Sequence, residues 1–329
     1  MTAHPKRAII TGITGQDGSY LAEYLLDKGY EVHGIVRRTA ADTSEARLSR
    51  ISHIIAQLHL HSAAIENYAS VFRVMAEYKF DECYHLAAQS YVADSYSDEF
   101  TTMETNVRGT QHVLAACREL QPHCRIYFAG SSEMFGKAAL VPQNEATSFH
   151  PRSPYGISKV AGFYLACNFR EAYGMHCSSG ILFNHESPRR GFEFVTRKIT
   201  SEVARISLGL SSELTLGNLD ACRDWGHAAD YVRAMWQMLQ REEPDDYVIS
   251  TGRSRSVREF CQAAFSHVGL DADDYIRVDP RLFRPAEVDL LVGDSSKAAA
   301  TLGWHPESSF GDLVAEMVDS DLRYWRKCR

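Results

Sequence analysis

The sequence predicts an α/β protein: a doubly wound parallel sheet with helices on both faces, followed by a smaller, mostly C-terminal α/β lobe. Three observations lead there. Short β-rich runs alternate with helical patterns through the first half of the chain, the pattern of strand–helix–strand crossovers. The first run, "RAIITG", leads at once into a glycine-spaced turn and a helical pattern. After roughly residue 180 the alternation becomes irregular, as expected where a second lobe covers the carboxyl ends of the strands.

The elements follow in order. "RAIITG" reads as a buried strand. "DGSYLAEYLLDKG" is the first helix, with Leu21, Tyr24, Leu25 and Lys28 at helical spacing and Gly29 as its stop. "EVHGIVR", "ECYHLAA" and "RIYFAGS" read as strands, with "YASVFRVMAEY" and "TNVRGTQHVLAACREL" as the helices between them. Beyond, "FVTRKITSEVARISLGL", "HAADYVRAMWQMLQR", "SVREFCQAAFSHVG" (stopped by Gly269) and the amphipathic "FGDLVAEMVDSDLRYWRK" read as helices. "ELTLGN" and "DYVIST" read as strands. The expected organisation is a Rossmann-type domain over residues 1–180, carrying the chemistry, and a substrate-binding lobe over residues 181–329, interleaved with late strands of the sheet.

The 329 residues carry a formal net charge of −7, which gives no reason to expect nucleic acid or an anionic membrane as partner. No stretch approaches the roughly 20 apolar residues of a membrane span. The opening "MTAHPKRAIITG" has no apolar core of a secretory signal. The eight cysteines are scattered without a C-x-x-C pair. Reduced, mostly buried thiols, no zinc site and a cytoplasmic protein are therefore expected.

"TGITGQDG" sets Gly12, Gly15 and Gly18 between the first strand and the first helix. Glycines there allow a tight turn and close backbone approach to a pyrophosphate, which the helix N-terminus attracts. The spacing between strand and helix predicts dinucleotide binding. A site for NAD usually has an acidic residue at the end of the second strand; here "GIVRR" supplies Arg37 and Arg38. Arginine suits a 2′-phosphate, so NADP is the expected cofactor.

"PYGISK" gives Tyr155 and Lys159 at positions i and i+4, on one face of a helix. A lysine ammonium near a phenol would lower its pKa from about 10 and fit Tyr155 to take a proton from a sugar hydroxyl. "AGSSEMFGK" ends the "RIYF" strand in Ser131, Ser132 and Glu133, where turn residues alone would have served to stop it.

With these stretches in place the chain resembles the extended short-chain dehydrogenase/reductase family, and within it the GDP-sugar branch of the 4,6-dehydratases. The carrying residues include "SSEMFG", "PRSPYGISK", "ILFNHESPRRG", "FVTRKIT", "LGNLDACRDWGHAADYV" and "FRPAEVD". The resemblance implies a redox-neutral elimination on a GDP-sugar, GDP-mannose first. Tyr155 would take the C4 hydroxyl proton, and hydride would leave C4 and later return to C6. Glu133 would move the C5 proton and protonate the departing C6 oxygen, while Ser131, where the family usually has Thr, would hold the C4 oxygen. Gln16, Asp17, Ile65, Leu86 and Ala87 would line the cofactor. Ser90, Ser132, Asn184, Val195, Lys198, Arg223, Arg284 and Glu287 would meet the sugar nucleotide. Asn106 would orient the active-site helix or a proton-relay water; an N-terminal helix cap is the alternative. A homodimer or homotetramer is implied; the polarity of the loop "TAADTSEARLSR" suits either a reach to a neighbouring cofactor site or plain solvent exposure.

Departures from the family pattern are Ala64 in place of an acidic partner for adenine, Phe135 for Tyr, Cys222 for Lys, and a shortened "SHVGLDADDYIRVDPRLFRPAE". Adenine would then rest on backbone and apolar contacts such as Ile65. The same reaction on a GDP-manno-heptose is one alternative, compatible with Ser131 and the shorter loop. A net reductase of a 4-keto GDP-sugar and a cofactor-sensing regulator are others; neither needs Glu133.

Overall fold

The computed structural model describes residues 4–37, 48–283, 286 and 290–328. Its centre is a seven-stranded sheet in the order β10-β6-β5-β4-β1-β2-β3. The strands are β1 (Arg7–Thr11), β2 (Glu31–Val36), β3 (Leu58–Ser62), β4 (Glu82–His85), β5 (Arg125–Ser131), β6 (Cys177–Leu182) and β10 (Asp246–Ile249). All neighbours pair in parallel. The order reverses between β1 and β4, and at such a switch point the first loops splay apart and leave a crevice at the carboxyl ends of the strands.

Alternation along β1 explains the two helical layers. Ala8 and Ile10 point to one face and pack with Leu21, Ala22 and Leu25 of α1 (Gln16–Asp27) and Met235 and Met238 of α6 (Ala228–Gln240). Ile9 points to the other. It packs with Val71 and Val74 of α2 (Tyr68–Glu77), Val113 and Leu114 of α3 (Gly109–Leu120) and Phe169 of α4 (Pro154–Tyr173). Strands buried on both faces read as apolar runs, which is why they were visible in the sequence.

A third core joins α5 (Val195–Ser207), β8 (Leu214–Leu216), α7 (Val257–His267) and α8 (Phe310–Lys327) through Val203, Leu216, Phe260 and Met317. Two small sheets frame it. In one, β9 (Cys222–His227) lies between β7 (Asn184–Glu186) and β11 (Ser254–Ser256); in the other, β12 (Ile276–Val278) pairs with β8. The chain thus leaves the main sheet after β6, returns through α6 and β10, and leaves again.

Two strands of the main sheet, and the short β7, β9, β11 and β12 outside it, differ from the sequence reading. β3, "LHLHS", and β6, "CSSGIL", were not anticipated. Ser178 and Ser179 in β6 are fully buried, so an interior strand carries hydroxyls where an apolar run would have announced it. Five of the eight cysteines are buried, and all eight are free thiols. No helix among the described residues is long and apolar enough to cross a membrane.

Candidate active site

The glycine turn is built by steric exclusion. Gly12 has φ +77°, and a Cβ on it would stand 2.9 Å from the Ala87 nitrogen. A Cβ on Gly18 would come within 2.3 Å of the Gly12 oxygen. Only glycine fits either place. Gly15 caps α1 without any side-chain hydrogen bond, leaving the first amides of the helix facing the cleft as an anion cradle. Behind the turn, the Thr11 hydroxyl oxygen accepts from the Leu86 and Ala87 amides, both at 3.1 Å, and Thr11 lies 2.8 Å from His85 Nδ1. His85 Nε2 meets Thr110 at 3.0 Å, and Thr110 donates to the Asn106 carbonyl at 2.5 Å. The donor pattern requires a neutral His85 protonated on Nε2. Burial agrees, pushing His85 down to about 3.

A cavity of about 640 Å³ runs from this turn across the carboxyl edge of the sheet to α5, β8 and β9. Gly12, Gly15, Gln16, Asp17, Gly18, Arg37, Ile65, Leu86 and Ala87 line its first part. Ile35 and Ala63 join Ile65 as an apolar wall. The Ala64 amide and carbonyl are both engaged by the Ser70 hydroxyl. Arg37 pairs with Glu66, which also accepts from Thr105 at 2.7 Å. Arg38 lies outside the described residues.

At the centre β5 ends at Ser131, and the chain turns through a single 3₁₀ turn, Ser132–Met134. That turn buries Ser132 and Glu133. Ser131 stays extended, and its hydroxyl oxygen accepts from the Glu133 amide at 3.3 Å. Helix α4 begins beside it: Ser153 caps the Gly156 amide at 3.0 Å and Pro154 stands in the first turn, where its missing N–H is harmless. The helix approaches so closely that a Cβ on Gly156 would lie 2.7 Å from the Glu133 oxygen. Ser131, Glu133, Tyr155 and Lys159 consequently line the same cavity.

The electrostatics differ from the simple lysine–phenol expectation. Burial pushes the Tyr155 phenol up to about 12; the hydrogen bond with Ser131 opposes this, and the Glu133 charge adds to it. Burial also lowers the Lys159 ammonium to about 8. Lys159 Nζ donates to the Ala129 carbonyl at 2.8 Å and stands 5.9 Å from the Tyr155 ring centre. In this environment loss of solvent outweighs the neighbouring cation.

Asn106 sits in a π-helical turn, Glu104–Arg108, that runs straight into α3. It is not a helix N-cap. Its amide donates to Ser158 Oγ at 2.9 Å and to the Gln89 carbonyl at 3.0 Å, and its oxygen accepts from the Gln89 amide at 2.8 Å. Ser158 in turn donates to the Tyr155 carbonyl at 2.7 Å. Asn106 therefore holds the first turn of α4 to the loop after β4.

The far part of the cavity is lined by Ser90, Ser132, Asn184, Val195, Lys198 and Arg223. Arg223 is buried, whereas Val195 and Lys198 are exposed. Arg284 and Glu287 lie outside the described residues. Phe135 is fully buried between Phe149 and Phe183, a core position rather than a cavity wall. Cys222 donates its thiol to the Asp220 carbonyl at 3.3 Å.

Sequence reasoning missed several cavity residues: Arg50, His185, Arg189 and Arg190. Arg50 donates to the Arg189 carbonyl at 2.7 Å and to the Thr14 carbonyl at 3.3 Å. Only "NHESPRRG" gave a signal, since Asn184 is its first residue. Away from the cavity, ligand atoms of Glu31, His33 and His59 lie within 4.8 Å of one another. There both His33 nitrogens are engaged, by Glu31 at 2.9 Å and His61 at 2.8 Å.

The family model described as GDP-mannose 4,6 dehydratase matches residues 9–317. The chain is 51% identical to GDP-mannose 4,6 dehydratase 2 of Arabidopsis thaliana, over 96% of this chain and 87% of that protein. Among solved structures it resembles the dTDP-glucose 4,6-dehydratase DesIV of Streptomyces venezuelae with NAD and TYD bound. That likeness has a TM-score of 0.84 at 24% identity, over 98% of this chain and 97% of the other. It also resembles RMD of Pseudomonas aeruginosa complexed with NADPH, with a TM-score of 0.80 at 23% identity, over 97% and 99%.

Proposed function

The chain belongs to the GDP-mannose 4,6-dehydratase family, and from that premise we propose that it is a hydro-lyase converting GDP-mannose into its 4-keto-6-deoxy product. One observation carries the reading. A buried carboxylate, Glu133, shares a cavity with Ser131, Tyr155, Lys159 and a glycine turn of dinucleotide-binding type. Reduction of a ketone needs the phenol and the lysine. Only elimination across C5–C6 needs an acid/base beside them. The relatives' names carry GDP-mannose, and nothing favours the heptose alternative.

The cavity fits a nicotinamide dinucleotide: its turn excludes side chains at Gly12 and Gly18, and its helix N-terminus is uncapped. Bound there, an oxidised nicotinamide supplies a hydride sink for C4 and a hydride source for C6. Tyr155 accepts the C4 hydroxyl proton, with Ser131 holding the same oxygen. Lys159 keeps a cation close to the phenol while anchored on Ala129. Once C4 is a ketone, the C5 proton is acidic. Glu133 takes it and delivers it to the C6 oxygen, which departs as water; C5 would then take up a solvent proton, matching the one Tyr155 removed from the C4 hydroxyl. Asn184, Lys198 and Arg223 hold the diphosphate and sugar, Val195 lies against the guanosine side, and Ser90 and Ser132 border the hexose. By motif, Arg284 with Glu287 binds the ribose.

NADP is the proposed form of the cofactor. Arg37 at the end of β2 supports it, as does the NADPH in the Pseudomonas relative of the fold. The lobe around the main sheet serves the cofactor and the chemistry, and the C-terminal lobe serves the sugar nucleotide. A cytoplasmic homodimer or homotetramer completes the reading. Its test is turnover of GDP-mannose: a 4-keto product without consumption of added NADPH is expected, and stoichiometric NADPH oxidation would identify a reductase instead.

A further inference from the structure

The arm after β6 touches the cofactor turn through a set of side chains that the mechanism does not use. His185, in β7, places Nε2 2.8 Å from Asp17 Oδ2 and Nδ1 2.7 Å from the Phe183 carbonyl. Both partners only accept hydrogen bonds. A neutral imidazole has one donor nitrogen and would aim its lone pair at an oxygen on the other side, so both nitrogens carry protons. The ring also stacks on Tyr231 of α6, with centroids 4.5 Å apart and planes at 21°, a good seat for a cation.

The place of Asp17 makes that charge useful. Asp17 lies in the first turn of α1, where a dinucleotide's diphosphate would be drawn. An unbalanced carboxylate there repels it. Around the pair, Gln16 Nε2 donates to Asp17 Oδ1 and to the His185 carbonyl, each at 3.0 Å, and Ser187 donates to Gln16 Oε1 at 2.8 Å. The same strand, β7, carries Asn184 into the sugar side of the cavity.

We propose that His185 is a positioning residue: an imidazolium that cancels the Asp17 carboxylate at the diphosphate cradle and ties the substrate arm to the cofactor turn. This rests on the dinucleotide reading of the turn. The charged and titratable groups facing His185 are Asp17 from α1, Arg190 from the arm and the Tyr231 phenol from α6. Burial lowers the ring's pKa, as does Arg190, but the Asp17 charge and the hydrogen bonds to Asp17 and the Phe183 carbonyl together outweigh them and raise it. The charge is therefore held to higher pH than on a free imidazole and lost as pH climbs through the raised value. On the acid side Asp17 is lowered, despite burial, chiefly by His185.

The test is NADPH affinity without sugar, for wild type, His185→Gln, Asp17→Asn and the double variant, at about pH 7 and about pH 9. Gln keeps a donor toward Asp17 but no charge. His185→Gln should weaken binding about tenfold or more, since it leaves one member of a charge pair uncompensated. It should also remove part of the weakening expected of wild type from the lower to the higher pH; Lys159, lowered to about 8, titrates in the same range and supplies the rest. Asp17→Asn added to His185→Gln should restore most of the affinity. Binding by His185→Gln equal to wild type, or no recovery in the double variant, would overturn the proposal. If His185→Gln does not fold, nitrogen NMR of the wild-type ring decides: two protonated nitrogens at neutral pH support it, a neutral ring overturns it. Failure of wild type to bind NADPH would instead remove the dinucleotide reading itself.

Discussion

Gly156 and Glu133 are in backbone contact: a Cβ on the glycine would lie 2.7 Å from the carbonyl oxygen of the glutamate. This approach brings the helix carrying Tyr155 and Lys159 against the turn carrying the acid. Gly156→Ala must push them apart. A displacement near 1 Å costs on the order of a hundredfold in rate, and overpacking costs about 1–3 kcal/mol in stability. We expect kcat to fall by about that factor with NADPH affinity kept; unchanged kcat would mean that the contact does not set the geometry.

Glu133→Gln should bind NADP and GDP-mannose as wild type does. Elimination should fall by about 10²–10⁴-fold, the usual worth of a positioned acid/base. With C4 oxidation intact, nicotinamide absorbance should rise transiently in a stopped-flow trace. Normal turnover would take Glu133 out of the mechanism.

The buried His85 sets an acid limit to stability. Its folded pKa, about 3, lies below the ordinary value of 6.5. Between those values the unfolded chain binds the extra proton, so stability falls as pH falls, by about 1.4 kcal/mol per pH unit for one proton. Above that window the group has no effect. His85→Asn should remove one proton's worth of slope from denaturation midpoints measured across pH 6.5 to 3. An unaltered slope would refute the neutral, Nε2-protonated role.

Arg37 and Glu66 form an ion pair at the end of β2. On the proposed NADP reading, Glu66 shares the guanidinium with the 2′-phosphate. Arg37→Ala should weaken NADP by about tenfold or more while changing NAD little, because it removes a charge-assisted contact. Glu66→Gln should do the reverse and tighten NADP. Equal changes for both dinucleotides, in side-by-side affinity measurements, would place the 2′-phosphate elsewhere.

The parallel core was legible because its strands are apolar on both faces, as in "RAIIT" and "RIYF". β3 hid because its alternate residues are histidines. His59 and His61 stack with His33, and Tyr78 and Phe80 close around them, so an aromatic packing surface reads as polar. In the cavity, Tyr155 and Lys159 were visible as helical neighbours and the glycines as steric necessities. The charge state of the phenol was not, since burial depends on the whole fold. Nor was the Asp17–His185 pair, 168 residues apart in the chain. No local spacing reports a contact between two lobes.

On the proposed function, one cofactor in one cavity both oxidises and reduces the same sugar. GDP-mannose deuterated at C4 tests it most directly. Mass and NMR analysis of the product should find the deuterium at C6 of the same molecule, with solvent hydrogen at C5. Deuterium lost to solvent, or a keto product formed without deuterium at C6, would contradict it.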